Sequence, residues 1–307
     1  MEIKEIQYGE GLVGKPEVVF EKFLVSSAET LASEKHPEHN EDAVINRPDL
    51  GLFGVFDGVG GGERGGAASR AAKDYIVRFF EKLSERDVSN IKSYGWKNVL
   101  ERAMREASAE LKKLRSGRGS PDTTATVMKI LKEGKRMYLV YGSIGDSRLY
   151  IKRTEDLFLR QVSDDDDLLK YEHPDIPQEE RQQIEQALAN ASKSEDLLTE
   201  TSVKKPLYYF FERRAGISKA LSDLAFGDSL QAGIMEVGKG DIAIVTSDGI
   251  HDNLTYGEIQ EIVAHAKNPK SLAKSLVKAS QARSRLGRDE NIRAKPDDIS
   301  AVAVEIK

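Results

Sequence analysis

The sequence contains no cysteine, a single tryptophan and no hydrophobic run long enough to span a membrane. The lack of cysteine excludes disulfide bonds, thiolate metal sites and cysteine nucleophiles. A transmembrane helix needs roughly 18 consecutive apolar residues, so we expect no membrane-embedded segment. The first residues, Met1 to Lys4, lack the basic-then-apolar layout of a signal peptide, and we therefore expect a cytoplasmic protein.

Positive charge is also in the minority. The 46 Lys and Arg residues face 51 Asp and Glu residues, which gives a formal net charge of -5 and argues against a nucleic-acid backbone as the main partner. The sequence has no Pro/Ser-rich linker, internal repeat or low-complexity tract. We therefore expect one domain over residues 1–307, with an insertion at about 164–215.

Acidic residues stand at the ends of four predicted strands that are far apart in the sequence. These positions are Glu41–Asp42, Asp57, Asp248 and Asp297–Asp298. Because strand ends can meet at one edge of a sheet, we expect these carboxylates to gather. Carboxylates that close repel each other unless a cation neutralises them. Oxygen ligands without any thiolate favour a hard cation, Mg²⁺ or Mn²⁺ and less strongly Ca²⁺.

The same residues suggest how two such ions would be held. Two divalent ions about 3.5–4 Å apart share a carboxylate, and Asp57 is the natural bridging ligand. Gly58 beside it allows a backbone carbonyl to approach an ion. Asp248 and Asp297 would complete the coordination of one ion, and Asp42 would hold water ligands on the other.

The glycines after Asp57 also match a dinucleotide-binding fingerprint, at Gly60, Gly62 and Gly65. We disfavour this interpretation because the Asp57 carboxylate would repel a pyrophosphate. The segment that follows the next predicted helix, residues 84–94, is also too polar for the second parallel strand of that fold.

Hydrophobic periodicity predicts a mixture of helices and antiparallel strands. Helices are predicted over 64–84, 95–115, 178–191, 256–266 and 269–283, and strands over 17–25, 124–131, 137–144, 148–151, 157–162, 232–237, 241–247 and 299–306. The connections within 123–162 are too short for crossover helices, which predicts an antiparallel meander. Both faces of 299–306 are apolar, which predicts an interior strand. Residues 164–215 are too long for a turn, and we expect a lid over one face.

The loop over residues 33–40 contains two histidines, His36 and His39, at a spacing compatible with a zinc pair. Pro37 lies between them and argues against a helix. We therefore expect an exposed loop rather than a metal site.

Six motifs, taken in order, resemble the metal-dependent, type-2C (PPM) serine/threonine protein phosphatases. They are Asn40–Asp42, Val55–Gly61, Thr123–Ala125, Gly145–Arg148, Thr246–Ile250 and Asp297–Ser300. The resemblance extends from about residue 20 to 306. It implies an α+β fold with four layers, α/β/β/α, in which a central β-sandwich of two antiparallel sheets is flanked by helix pairs. The segment 164–215 would then be an enlarged flap.

The resemblance also implies two Mn²⁺ or Mg²⁺ ions and a weaker third ion. By motif, Asp57 is the bridging ligand and Gly58 the carbonyl ligand, and Asp248 and Asp297 complete the first ion. Asp42, with Glu41 behind it, orders water around the second ion, and Asp146, helped by Asp252, matches the ligand of the third. The implied reaction is hydrolysis of phosphoserine and phosphothreonine on proteins by a hydroxide that bridges two ions. Such an enzyme opposes a serine/threonine kinase, with no nucleic-acid or membrane partner.

Three departures from the family pattern affect the site. The arginine that grips the substrate phosphate in many relatives is missing, and we predict that Lys35, or less favourably His36, replaces it beside the catalytic Asp57 and Asp42. Val59 stands where a proton-donating histidine is often found. Asp298 replaces an asparagine, and its extra charge should favour metal retention.

Two alternatives to protein phosphatase activity remain open at this point. The first is a catalytically weak metal-binding module that uses its flap to recognise a partner, which the missing arginine favours. The second is a phosphatase that acts on a small phosphomonoester. The sequence does not decide among the three.

Overall fold

The computed structural model describes residues 23–59, 63–83, 91–93, 95–114, 122–201, 204–214, 216–223 and 230–307. The strands are β1 (Leu24–Leu31), β2 (Ala43–Arg47), β3 (Leu52–Phe56), β4 (Gly58–Val59), β5 (Asp122–Thr123), β6 (Ala125–Glu133), β7 (Arg136–Ile144), β8 (Arg148–Lys152), β9 (Arg160–Gln161), β10 (Gln231–Val237), β11 (Ile242–Thr246) and β12 (Ile299–Ile306). The α-helices are α1 (Glu63–Glu81), α2 (Gly95–Lys113), α3 (Leu168–Glu172), α4 (Gln178–Asn190), α5 (Leu207–Glu212), α6 (Asp248–His251), α7 (Tyr256–His265) and α8 (Pro269–Ser284).

Two antiparallel five-stranded sheets form the centre of the molecule. Their strand orders are β1-β12-β11-β8-β9 and β10-β7-β6-β3-β2. The inner faces pack on each other through buried side chains such as Phe53 and Met128 of one sheet and Val245 and Val302 of the other. The predicted β-sandwich is therefore confirmed, and β12 is an interior strand as its two apolar faces indicated.

Amphipathic helices cover both outer faces of the sandwich. Ala68 of α1 and Met104 of α2 pack against the sheet that contains β6 and β7. Ile259 of α7 and Leu276 of α8 pack against the sheet that contains β11 and β12. Each helix has an apolar stripe that is stable only when buried, so the layers follow the expected order α/β/β/α.

The predicted meander over 123–162 is wrong in its connectivity. β6 and β7 form a hairpin in one sheet, whereas β8 and β9 belong to the other sheet. The chain changes sheets at Gly145, whose φ of 95° is readily available only to glycine. Periodicity reports which faces are buried but does not report which sheet a strand joins.

Two predicted strands also differ from the structure. The strand predicted over 17–25 overlaps β1 only at Leu24 and Val25, and residues 17–22 lie outside the described part of the chain. Half of the residues of β1 are polar, and it is a strand because it pairs with β12 along its whole length. The strand predicted over 157–162 is reduced to the two residues of β9.

The segment that follows β9 contains α3, α4 and α5, which enclose a small core of their own that includes Ile184 and Phe210. It is tied to the sandwich by Arg148 of β8, whose guanidinium donates to both carboxylate oxygens of Asp165 at 2.6–3.0 Å. This bidentate pair anchors the start of the segment beside the end of the sandwich.

Among the helices in the described ranges, none has the combination of length and apolar character that crossing a bilayer requires.

Candidate metal centre

The acidic residues at the strand ends converge on one end of the sandwich. Asp57 follows β3, and burial raises the pKa of its carboxyl group well above the usual value. The charges of Asp42, Asp248, Asp297 and Asp146 raise it further. These four residues come from separate elements, so the predicted gathering of carboxylates is present in the folded chain.

Asp42 is held at the start of β2 by a hydrogen bond between the two sheets. Its Oδ2 accepts a hydrogen bond at 2.8 Å from Ser247 Oγ, at the end of β11. Burial raises the pKa of Asp42 well above its usual value, although Ser300 and Ser247 act in the opposite direction. The side chain is therefore fixed next to Asp248, the residue that follows Ser247.

The glycines beside the acidic residues are required by close backbone packing. A Cβ atom on Gly58 would overlap the backbone of Gly65 and would lie 2.9 Å from the carbonyl oxygen of Glu41. A Cβ atom on Gly249 would overlap the carbonyl oxygen of Asp298. These glycines let the strand ends approach closely enough for their carboxylates to form one cluster.

A lysine that sequence reasoning did not identify lies within the cluster. The Nζ atom of Lys295 is 2.6 Å from Asp248 Oδ2, 2.7 Å from Asp252 Oδ2 and 2.8 Å from Asp297 Oδ2. The only signal in the sequence is its position two residues before Asp297, which places both on the approach to β12.

The two carboxylates nearest to Lys295 have opposite pKa shifts. Burial raises the pKa of Asp248 to about 6, against the opposing effect of Lys295. Burial also acts to raise the pKa of Asp252, but the charges of Lys295 and Arg214 outweigh it and leave the pKa below its usual value. Arg214 Nε lies 3.3 Å from Asp252 Oδ1. Asp252 is therefore already paired with cations, whereas Asp248 is not fully neutralised.

Buried oxygen atoms at the centre fit a hard divalent ion. Asp42 Oδ1, Asp248 Oδ1 and Glu41 Oε1 are buried and accept no hydrogen bond from the residues that the structure describes. A buried carboxylate oxygen without a partner is costly unless a cation binds it. With oxygen donors on several sides, the group has the chemistry that Mg²⁺ and Mn²⁺ prefer.

Asp146, the predicted ligand of a third ion, lies at the turn after Gly145. Burial raises its pKa well above the usual value, and the charge of Asp248 adds to this effect. It therefore belongs to the same cluster, on the side that faces Asp248 and Asp252.

The loop before β2 differs from the expected exposed connection. The rings of His36 and His39 are stacked with centroids 4.5 Å apart, and both residues are half-buried. Together with Glu41 they form a group whose potential ligand atoms all lie within 4.8 Å of one another. Lys35 is exposed on this loop, and His36 Nδ1 lies 3.8 Å from Asp298 Oδ1.

A cleft of about 610 Å³ lies between the sandwich and the segment that contains α3, α4 and α5. It reaches the carboxylate cluster at Asp252. Five of its lining residues are arginines: Arg148, Arg160, Arg213, Arg214 and Arg293. The lining also contains six acidic residues, and Arg148, Arg213 and Arg214 are paired with three of them.

Comparison with protein-family models and with curated proteins gives no match. Comparison with solved structures gives full-length similarity to serine/threonine phosphatases. Phosphatase Stp1 from Staphylococcus aureus is 17% identical over 100% of both chains, with a TM-score of 0.67. PstP/Ppp from Mycobacterium tuberculosis is 20% identical over 93% of this chain and 99% of its own, with a TM-score of 0.63.

A third similar structure is the catalytic domain of PstP in complex with two manganese ions. It is 20% identical over 92% of this chain and 98% of its own, with a TM-score of 0.61. At these identities the similarity establishes the architecture. The chain has the fold of the PPM-type serine/threonine phosphatases.

Proposed function

We propose that this protein is a metal-dependent phosphatase that hydrolyses phosphoserine and phosphothreonine on proteins and so opposes a serine/threonine kinase. The observation that carries the proposal is the convergence of Asp42, Asp57, Asp248 and Asp297 at one end of a fold that known phosphatases share. The unpartnered, buried Oδ1 atoms of Asp42 and Asp248 support a site for divalent cations.

The proposed ligand assignment is the one that the sequence motifs imply. Asp57 would be shared by two ions, and Gly58 would offer its carbonyl oxygen. Asp248 and Asp297 would serve one ion, and Asp42 with Glu41 would serve the other. When bound, Mn²⁺ or Mg²⁺ ions supply charge that stabilises a reacting phosphoryl group and acidify the attacking water. The hydrogen bond from Ser247 holds Asp42 in place for this task.

The proposed substrate is a phosphorylated segment of a protein. The cleft beside Asp252 is bordered by residues of α3, α4 and α5. We assign the segment 164–215 the role of a flap that contacts this substrate. Lys35, with His36 as the second candidate, is proposed to meet the phosphate from the opposite loop.

The test is hydrolysis of a phosphothreonine peptide by the full chain in the presence of Mn²⁺ and after removal of metal by EDTA. We expect turnover with Mn²⁺ and none without it. Asp57→Asn and Asp248→Asn should each abolish turnover while the fold, monitored by circular dichroism, is retained. A full rate in the metal-free protein would refute the proposal.

A catalytically weak binding module is the second candidate, and the position of Lys295 favours it. Its ammonium group already contacts Asp248 and Asp297, two of the proposed metal ligands. This alternative predicts that saturating Mn²⁺ supports no more turnover than Asp57→Asn shows on several phosphopeptides. The third candidate is a phosphatase that acts on a small phosphomonoester. It is distinguished by comparing the turnover of a phosphopeptide with the turnover of a small phosphomonoester.

A further inference from the structure

Lys295 is held in the carboxylate cluster by its backbone as well as by its charge. Its N–H donates to Asn253 Oδ1 at 3.0 Å, and its carbonyl oxygen accepts from Asn253 Nδ2 at 2.9 Å. Asn253 is fully buried, and its Nδ2 also donates to the carbonyl oxygen of Gly249. This clamp fixes the lysine to the turn that carries Asp248, so the position of its ammonium group is built into the fold.

Arg214 approaches the same carboxylates from the other side. It lies at the end of the segment that contains α5, with its guanidinium 3.8 Å from the centre of the Phe211 ring. Its Nη1 donates to the carbonyl oxygen of Phe211 at 2.8 Å, and its Nε is 3.3 Å from Asp252 Oδ1. Both oxygens of Asp252 therefore face fixed cations.

The carboxylates of the cluster outnumber its fixed cations. Asp42, Asp57, Asp146, Asp248, Asp252 and Asp297 interact with one another, and Asp298 also acts on Asp42. Asp165 lies near Asp146, but it is neutralised by its bidentate pair with Arg148. Lys295 and Arg214 each offset one negative charge, on the side of the cluster where Asp252 lies.

We propose that Lys295, supported by Arg214, takes the place of a third divalent ion, so that the cluster of this chain binds two ions and Asp252 is not a metal ligand. The proposal rests on the proposed metal-dependent function. It revises the expectation that Asp252 helps Asp146 to hold a third ion. The free Oδ1 of Asp248 remains available to an ion while its Oδ2 contacts the lysine.

The decisive measurement is titration of the metal-free full chain with Mn²⁺ by isothermal titration calorimetry. We expect two equivalents to bind the wild-type protein and a third to bind Lys295→Gln, which keeps a polar side chain but removes the charge. The matched control is Lys274→Gln, an exposed lysine on α8, and it should bind two. Three equivalents on the wild-type protein, or two on Lys295→Gln, would overturn the inference.

A second measurement needs no metal. Removing one partner from a buried ion pair leaves unpaired charge, so Lys295→Gln should lower the melting temperature of the metal-free protein by about 5–10 °C. The double variant Lys295→Gln/Asp252→Asn removes a carboxylate as well and should recover part of this loss. An unchanged melting temperature in Lys295→Gln would overturn the inference.

The two measurements, Mn²⁺ titration and the melting temperature of the metal-free protein, distinguish a failure of this inference from a failure of the proposed function. A wild-type protein that binds no Mn²⁺ contradicts the proposed function, and the melting temperatures still decide whether Lys295 neutralises the cluster. If Lys295→Gln does not fold, Lys295→Met and Lys295→Arg replace it. Lys295→Met should bind a third ion, and Lys295→Arg, which keeps the charge, should bind two.

Discussion

Asp298 Oδ2 accepts a hydrogen bond at 2.6 Å from the backbone N–H of Glu41. Its Oδ1 accepts a second one at 2.7 Å from the N–H of Ser33. One carboxylate thus ties down both ends of the loop that carries Lys35 and His36. The charge that we expected to favour metal retention also has a structural task, which is to position the residues before Asp42.

We therefore expect Asp298→Ala to lower the free energy of unfolding by about 2–5 kcal/mol, because two buried N–H groups lose their acceptors. Chemical denaturation of the metal-free protein measures this loss. Asp298→Asn retains one acceptor oxygen and should lose about half as much. If Asp298→Ala is as stable as the wild-type protein, the loop does not depend on this carboxylate.

The packing of the sandwich could be predicted from the sequence, but its edges could not. The interior strand β12 has apolar residues on both faces, and this pattern is local. β1 has little apolar pattern, and Ser26 and Thr30 use their hydroxyl groups to bond Asn46 and Ser300. Such a strand is imposed by its neighbours in the fold, so its position cannot be read from its own residues.

The second prediction concerns the close backbone contact at Gly58. A methyl group there would overlap the backbone of Gly65 and press on the carbonyl oxygen of Glu41. We expect Gly58→Ala to cost about 1–3 kcal/mol of stability, since neither contact is with a flexible side chain. Mn²⁺ binding should weaken with it, because Glu41 and Asp57 would move apart. Thermal unfolding and calorimetric titration measure the two effects.

Gly257 is the matched control for this substitution. It lies in the first turn of α7, and the nearest atom to an added Cβ is 4.0 Å away, Thr255 Oγ1. Gly257→Ala should be neutral or slightly stabilising, because alanine favours a helix. Equal losses of stability in Gly58→Ala and Gly257→Ala would show that the close backbone contact at Gly58 does not add to the cost of the substitution.

The candidate site could be predicted only in part. Acidic residues at strand ends are visible in the sequence, and Asp57, Asp248 and Asp297 do converge. Lys295 and Arg214 could not be identified, because their positions depend on the Asn253 clamp and on the packing of the segment after β9. Those contacts join parts of the chain that share no local pattern.

The third prediction is a pH dependence of metal binding. Burial raises the pKa of Asp248 to about 6 in the metal-free fold, from a usual value of 3.8. Below about pH 6 a proton therefore competes with the ion for this carboxylate. We expect the Mn²⁺ dissociation constant to increase by about tenfold per pH unit below that point. Calorimetric titrations at several pH values check this, and an affinity independent of pH would contradict it.

The same shift has a consequence for the stability of the metal-free protein. Since the folded pKa of Asp248 is higher than the unfolded value, the folded state binds more protons between pH 3.8 and about 6. The contribution of this group to stability therefore decreases as pH rises through that window. Asp248→Asn removes the titrating group, so its stability should change less over the window than that of the wild-type protein. An identical pH profile in both would be contrary to the raised pKa.

The fourth prediction concerns Lys35 as the residue that meets the substrate phosphate. Lys35 is exposed on the loop that Asp298 fixes, and a solvent-exposed ammonium contributes modestly to binding an anion. We expect Lys35→Ala to raise the KM for a phosphothreonine peptide by about two- to fivefold with little change in kcat. Steady-state kinetics at saturating Mn²⁺ measure both constants.

Two further variants are needed to interpret a change of KM in Lys35→Ala. Lys274→Ala removes the same charge from the exposed face of α8 and should leave KM unchanged, which controls for net charge. His36→Ala tests the second candidate. The pKa of His36 is raised because, although its partial burial acts to lower it, the hydrogen bond with the carbonyl of His39 and the charges of Asp298 and Glu41 outweigh that burial. An unchanged KM in Lys35→Ala together with a higher KM in His36→Ala would move the phosphate contact from the lysine to the histidine.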